Sequence, residues 1–175
     1  HSQLRKQRCL TKSLGCVTLK PKRGGMSEMP CRIGFTCGSF DLLHAGHILM
    51  LEEARRQCDH LIVAVQTDPT LDRPQKNRPV QSIRERTIVL RGIKWVDEVR
   101  AYSTEEELYI MLGNLAPDVR ILGADWEGKE FTGHDLGHKV YFNSRNHGWS
   151  SEELRRRVFK SELQAELEKI TKERS

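Results

Sequence analysis

Two histidines three residues apart, His44 and His47, carry the first chemical signal in this chain, with Asp41 just before them. They sit in C-R-I-G-F-T-C-G-S-F-D-L-L-H-A-G-H-I-L-M, residues 31–50, where a short apolar run gives way to a helical pattern near Gly46. Once helical geometry begins, residues three apart share a face. A helix start also offers free backbone N–H groups and the positive end of the helix dipole, a setting that attracts phosphate. Gly38 and Ser39 end the apolar run, and a missing side chain there lets backbone N–H groups approach a phosphate closely. Imidazoles at this place would donate hydrogen bonds to phosphoryl oxygens and stabilise charge that develops during phosphoryl transfer. Taken alone, H-x-G-H is equally a pair of surface histidines or half a metal site. No third ligand of matching spacing lies nearby, so no metal site in the protein is expected.

The elements that must position these residues alternate through the chain. Residues 32–37 read as a strand, and 46–57 as a helix with Leu49, Met50 and Ala54 on its apolar face. L-I-V-A-V at 61–65 is a continuous apolar run rich in β-branched residues, as expected of a strand buried on both faces. Three prolines (Pro69, Pro74, Pro79) then mark a long loop, and long loops in compact domains often bind ligands. Helices over 82–92 and 104–115 flank a short strand at 96–101, and V-R-I-L-G at 119–123 is the next strand. A Gly- and His-rich loop, V-Y-F at 140–142 and a helix from Ser150 or Ser151 follow, Ser150 and Glu153 having capping-box spacing. Residues 161–173 read as a charged terminal helix with Leu163, Leu167 and Ile170 as a thin apolar stripe.

This alternation predicts an α/β fold, a Rossmann-like parallel sheet with helices on both faces. Ligands in such sheets bind beyond the carboxyl ends of the strands. The loops at 38–47, 66–79, 123–138 and 143–151 are therefore expected to surround one crevice.

The formal charge is +5, but its distribution argues against a duplex-binding domain. Residues 1–30 hold seven Lys/Arg and one acid, whereas the other 145 residues hold 22 basic and 23 acidic groups. The expected organisation is a basic, poorly ordered extension over 1–30, a catalytic domain over 31–160 and a charged helix over 161–175. Five cysteines without a C-x-x-C pair suggest reduced thiols, and no run is long enough to span a membrane, so a soluble cytoplasmic protein is expected.

The stretch G-S-F-D-L-L-H-A-G-H-I resembles the cytidylyltransferase signature G-T-F-D-x-x-H-x-G-H, with Ser39 in place of Thr. The likeness spans about residues 32–158 and is nearest to the glycerol-3-phosphate cytidylyltransferase branch. D-W-E-G-K at 125–129 is similar to that branch, and Arg86 falls where the family has an arginine opening its second helix. S-R-N-H-G-W-S-S at 144–151 stands where the family reads R-T-E-G-I-S-T-T, with Asn146 and His147 replacing Thr-Glu.

This resemblance implies in-line transfer of CMP from CTP to a small phosphorylated alcohol, with release of pyrophosphate. It makes His44, His47, Arg145 and Ser150 the catalytic group. Nucleotide contacts are implied at Gly38, Ser39, Phe40, Gly46, Arg86, Asp125, Arg145, Gly148, Ser150 and Ser151. Substrate contacts are implied at Asp68, Lys76, Arg78 and Trp126. Mg²⁺ held mainly by the nucleotide phosphates and a homodimer are implied as well, with no nucleic-acid or membrane partner. Two other classes compete: an adenylyltransferase using ATP and a sugar phosphate or cofactor precursor, and a non-catalytic nucleotide- or nucleic-acid-binding module. H-x-G-H is shared with class I aminoacyl-tRNA synthetases, but a K-M-S-K-S-like loop is absent. Asp41 is expected to hold its loop by accepting backbone N–H bonds.

Overall fold

In a computed structural model, residues 31–173 are described, so the basic segment 1–30 lies outside the described residues. Five strands form one sheet: β1 (Ile33–Gly38), β2 (His60–Gln66), β3 (Glu98–Tyr102), β4 (Val119–Gly123) and β5 (Lys139–Asn143). Every neighbouring pair is parallel, in the order β3-β2-β1-β4-β5. The chain winds outward from β1 in one direction, then crosses to β4 and winds outward in the other. The resulting switch point between β1 and β4 opens a crevice at their carboxyl ends.

Four helices connect and follow the strands: α1 (Ala45–Arg55), α2 (Ile83–Arg91), α3 (Glu105–Leu115) and α4 (Ser151–Glu173). Leu51 and Ala54 of α1 and Leu90 of α2 pack against Val63, Val65 and Ile121 on one face of the sheet. Leu108 and Leu112 of α3 pack against Phe35, Ile62 and Ala64 on the other. Helices therefore cover both faces, as the alternation predicts. Burying a side chain such as Leu51 or Leu112 stabilises by roughly 1.5–3 kcal/mol, so these two layers supply most of the driving force.

Local chemistry sets the helix starts. Ser82 and Glu85 form a reciprocal capping box at α2, and Thr104 caps α3 through the Glu107 N–H. Two expectations change. Leu49 is exposed while Leu51 is buried, because the buried stripe of α1 runs through Gly46, Leu51 and Ala54. The terminal segment is not a separate element: α4 is one continuous 23-residue helix, and the boundary expected at residue 160 falls inside it. Nothing between Phe159 and Glu162 breaks a helix, and i,i+3 and i,i+4 ion pairs such as Arg156–Glu152 support it. No helix among the described residues is long and apolar enough to cross a membrane.

Candidate active site

The β1–α1 loop is built around Asp41. Phe40 and Leu42 on either side of it both adopt positive φ, a conformation that costs a non-glycine residue about 1–2 kcal/mol. Asp41 offsets that strain. Its carboxylate accepts the N–H groups of Val80 (3.1 Å) and Gln81 (2.9 Å) and pairs with Arg155. Burial alone would raise this carboxyl, but the N–H groups of Gln81 and Val80, together with Arg155, hold it below the usual carboxylate range. The side chain of Gln81 answers by accepting the Leu42 N–H at 2.8 Å. The expectation that Asp41 holds its loop through backbone N–H bonds is met.

The two histidines cap α1 with each other. Nδ1 of His44, the N-cap, accepts the Gly46 N–H (3.1 Å), and Nδ1 of His47 accepts the His44 N–H (3.3 Å). This is a capping box in which imidazoles replace the usual hydroxyl and carboxylate. A backbone N–H can only donate, so each Nδ1 must present its lone pair, and in the neutral ring the proton sits on Nε2. Burial lowers the His47 pKa to about 4, helped by the charges of His44 and Arg145. The His44 pKa is lowered by burial, then by His147, Arg145 and Arg157. Both rings are thus neutral Nε2–H donors near pH 7.

The opposite wall comes from the β5–α4 segment, which is fastened to α1 and to the Asp41 loop. Glu53 of α1 accepts the Ser144 N–H (2.8 Å), its hydroxyl (2.9 Å) and the Tyr141 hydroxyl (2.9 Å). Burial would raise the Glu53 carboxyl, but these three donors keep it below its ordinary value. Asn143 donates to the Met50 carbonyl at 3.0 Å, and Ser151 donates from Oγ to the Asp41 carbonyl at 2.9 Å. Ser150 caps α4, its Oγ accepting the Glu153 N–H at 3.1 Å. A hydroxyl that accepts keeps a proton to donate.

Between these walls lies a pocket of about 260 Å³. Of the expected site residues, His44, Gly46, His47, Asp125, Arg145, Ser150 and Ser151 line it. Met50, Asn143, Ser144, His147 and Trp149 join them. Asp125 lies on a short 3₁₀ turn after β4, at the switch point. The glycine at 46 has a steric reason: a Cβ there would lie 2.5 Å from Cε1 of His147 and 2.9 Å from Cε1 of His44.

The remaining expected residues lie elsewhere. Arg86 is almost fully buried and clamps the strand ends. Its Nη1 donates to the carbonyls of Ser39 and Gln66, Nη2 to Thr67 (each 2.7 Å) and Nε to Gln81 (3.1 Å). The guanidinium is spent on backbone, in place of the expected nucleotide contact. Ser39 contributes its carbonyl to that clamp, and Phe40 is buried in the core with its ring 5.6 Å from that of His47. A Cβ on Gly38 would meet only the Phe40 ring at ordinary distance, and one on Gly148 would meet open space.

Asp68, Lys76, Arg78 and Trp126 do not line the pocket either. Asp68 accepts the N–H and hydroxyl of Thr70 and pairs with the exposed Arg78 at 3.2 Å. The proline loop is fastened at its start to the opposite face of the sheet, while near its end the Arg78 carbonyl accepts from Arg155 of α4 at 2.9 Å. Arg73 bonds Gln66 (2.7 Å) and pairs with Glu105 of α3, and Asp72 accepts the Glu105 N–H. Sequence reasoning missed Glu53 and Asn143. The signal available for Asn143 was a polar residue directly after the apolar run at 140–142; for Glu53 there was none.

Comparison with known proteins places these residues in context. The model of the cytidylyltransferase-like family matches residues 35–157. The chain is 41% identical over 110 residues to the bifunctional protein HldE of Granulibacter bethesdensis, covering 62% of this chain and 22% of that protein. It is 41% identical over 110 residues to the HldE of Wolinella succinogenes, covering 62% and 23%. The chain therefore spans less than a quarter of the length of these relatives. Among solved structures, the lipopolysaccharide core biosynthesis protein of Thermoplasma volcanium superposes with a TM-score of 0.57 at 25% identity, covering 67% of this chain and 99% of that one.

Proposed function

The chain belongs to the cytidylyltransferase-like family of nucleotidyltransferases, and from that premise we propose that its pocket transfers CMP from CTP to a small phosphorylated alcohol. The carrying observation is the mutual capping of His44 and His47, which leaves two neutral Nε2–H donors in one pocket with Arg145 and the start of α4. A phosphate oxygen of the acceptor attacks the α-phosphorus in line. The bond to the β-phosphate oxygen breaks, its electron pair leaves with pyrophosphate, and a phosphoanhydride is formed. The acceptor is already an anion, so no strong general base is required, in keeping with a pocket lined by a single carboxylate, Asp125. The two imidazoles donate to the α-phosphoryl oxygens as charge develops, and fixed donors of this kind are worth about 3–4 kcal/mol each. Arg145 and the Ser150–Ser151 helix start face the β- and γ-phosphates.

Mg²⁺ would supply charge neutralisation on the triphosphate. The donor set fits an ion carried mainly by phosphate oxygens and water, with Asp125 as the one carboxylate lining the pocket. No group of three His, Cys, Asp or Glu able to hold a metal occurs among the described residues.

A second reading has ATP as donor and a sugar phosphate as acceptor, its acceptor half drawing on the likeness to the Thermoplasma lipopolysaccharide core biosynthesis protein. One screen separates the two: pyrophosphate release from CTP and from ATP, each against glycerol-3-phosphate and a panel of sugar phosphates. Turnover with CTP and a phospho-alcohol is the expected result. Turnover confined to ATP and a sugar phosphate selects the second reading, and none with any pair overturns both.

A further inference from the structure

His147 belongs to neither the capping pair nor the packing core, yet it is placed against both. Its ring lies over Gly46, so a Cβ there would be 2.5 Å from Cε1 and 3.1 Å from Nε2 of His147. That puts the imidazole beside the first N–H groups of α1, where the dipole and the free donors favour an anion. Its outer side stacks on Trp149, with centroids 5.3 Å apart and an interplanar angle of 26°. Nδ1 of His44 and Nδ1 of His47 are each tied to a backbone N–H. By contrast, Nδ1 of His147 is buried and has no hydrogen-bond partner. A buried ring nitrogen left without a partner costs about 1–3 kcal/mol, so this ring is held by packing against Trp149 and Gly46. His147 and Arg145 also lie on the same segment, two residues apart at the mouth of α4.

We propose that His147 is a third phosphate-binding imidazole, which grips the pyrophosphate half of the nucleotide while Trp149 backs its ring. The proposal rests on the nucleotidyl-transfer reading of the pocket and adds a residue to it. His44 and His47 stand at the α1 start and address the α-phosphate. His147 approaches the same helix start from the Arg145 wall, where the β- and γ-phosphates are expected. Its tautomer is not dictated by a backbone donor, and with Nδ1 buried it is Nε2 that can carry the proton to a phosphoryl oxygen. Gly46 is the steric condition for this arrangement, because any side chain there would expel the ring.

The test uses the full chain and inorganic pyrophosphate as probe, followed by calorimetry and by Trp149 fluorescence against a Trp149→Phe control. Wild type should bind pyrophosphate, and His147→Ala should weaken it by about 10- to 100-fold, the worth of a hydrogen bond to a charged group. His147→Gln keeps a donor and should recover part of the loss. In turnover, His147→Ala should raise KM for the nucleotide more than it lowers kcat. Gly46→Ala should weaken pyrophosphate binding in wild type and less so in the His147→Ala background, where the clash with the His147 ring is gone and only that with His44 remains. Pyrophosphate binding unchanged in His147→Ala overturns the proposal and leaves the pocket assignment standing. A folded wild type that binds no pyrophosphate overturns the pocket assignment itself.

Discussion

Arg86→Lys separates a structural clamp from a nucleotide contact. The arginine spans four carbonyls, from Ser39, Gln66, Thr67 and Gln81, which belong to the ends of β1 and β2 and to the turn before α2. A lysine keeps the charge but is a point donor on a flexible stem, unable to serve four acceptors spread over a planar fork. At least two buried carbonyls lose a charged partner, at about 1.5 kcal/mol or more each, so the fold should lose about 3 kcal/mol. For a domain of this size that corresponds to a fall in Tm of about 6–12 °C. The assay is thermal unfolding by circular dichroism without nucleotide, paired with KM measured at a temperature where the variant is folded. A Tm within about 2 °C of wild type together with a raised KM for nucleotide would refute the clamp and restore Arg86 to the binding site.

The other predictions concern the histidines and their support. His47→Ala should leave the fold intact and lower kcat by about 10²–10³-fold, checked by pyrophosphate release; retained turnover would mean the motif has been misassigned. The His47 pKa is depressed from 6.5 to about 4, so the folded state binds fewer protons than the unfolded one between these values. Stability should therefore be fully present above pH 6.5 and decline as pH falls toward 4, by on the order of 3 kcal/mol. Urea unfolding of wild type and His47→Gln at pH 7 and pH 4.5 measures this, and an equal loss in both proteins would contradict it. Asp41→Ala strands two N–H groups and Arg155 beside a strained loop, so the urea midpoint should correspond to about 2–3 kcal/mol less stability.

Much of this architecture is legible in the sequence because each level repeats the same message. The run L-I-V-A-V can only be a doubly buried strand, and all its residues are buried in β2. H-x-G-H at a strand-to-helix junction predicts two histidines facing one crevice, and both line the pocket. Arg86 eludes that logic because its charge suggests solvent or ligand, although Ile83, Arg86 and Leu90 lie at helical spacing on one face. Read by position, Arg86 sits on the apolar stripe, and a guanidinium there must find carbonyls. The proline loop misleads differently. Its basic residues suggest phosphate, but which face of the sheet it covers depends on Arg73, Asp72 and Glu105, whose partnership spans more than 30 residues. The mutual histidine cap is likewise invisible in a pattern that specifies residue types but no ring orientation.

Asp41 explains why a pocket made of two separate chain segments is preorganised. Its carboxylate gathers Val80 and Gln81 from the turn before α2, and Arg155 from the second turn of α4. Its carbonyl accepts the hydroxyl of Ser151 at the start of α4. The loop that bears His44 and His47 is therefore bonded directly to the helix start expected to meet the β- and γ-phosphates. Glu53 ties the same two segments from the other side, through Ser144 and Tyr141. In-line transfer requires the groups on the α-phosphate and those on the leaving pyrophosphate to hold a fixed separation, and misplacement by about 1 Å can cost about 10²-fold. The left-handed backbone at Phe40 and Leu42 is what turns the Asp41 carboxylate and carbonyl toward those partners. The strain in this loop and the alignment of the two walls are thus one feature of the fold, and a substitution that relieved the first would loosen the second.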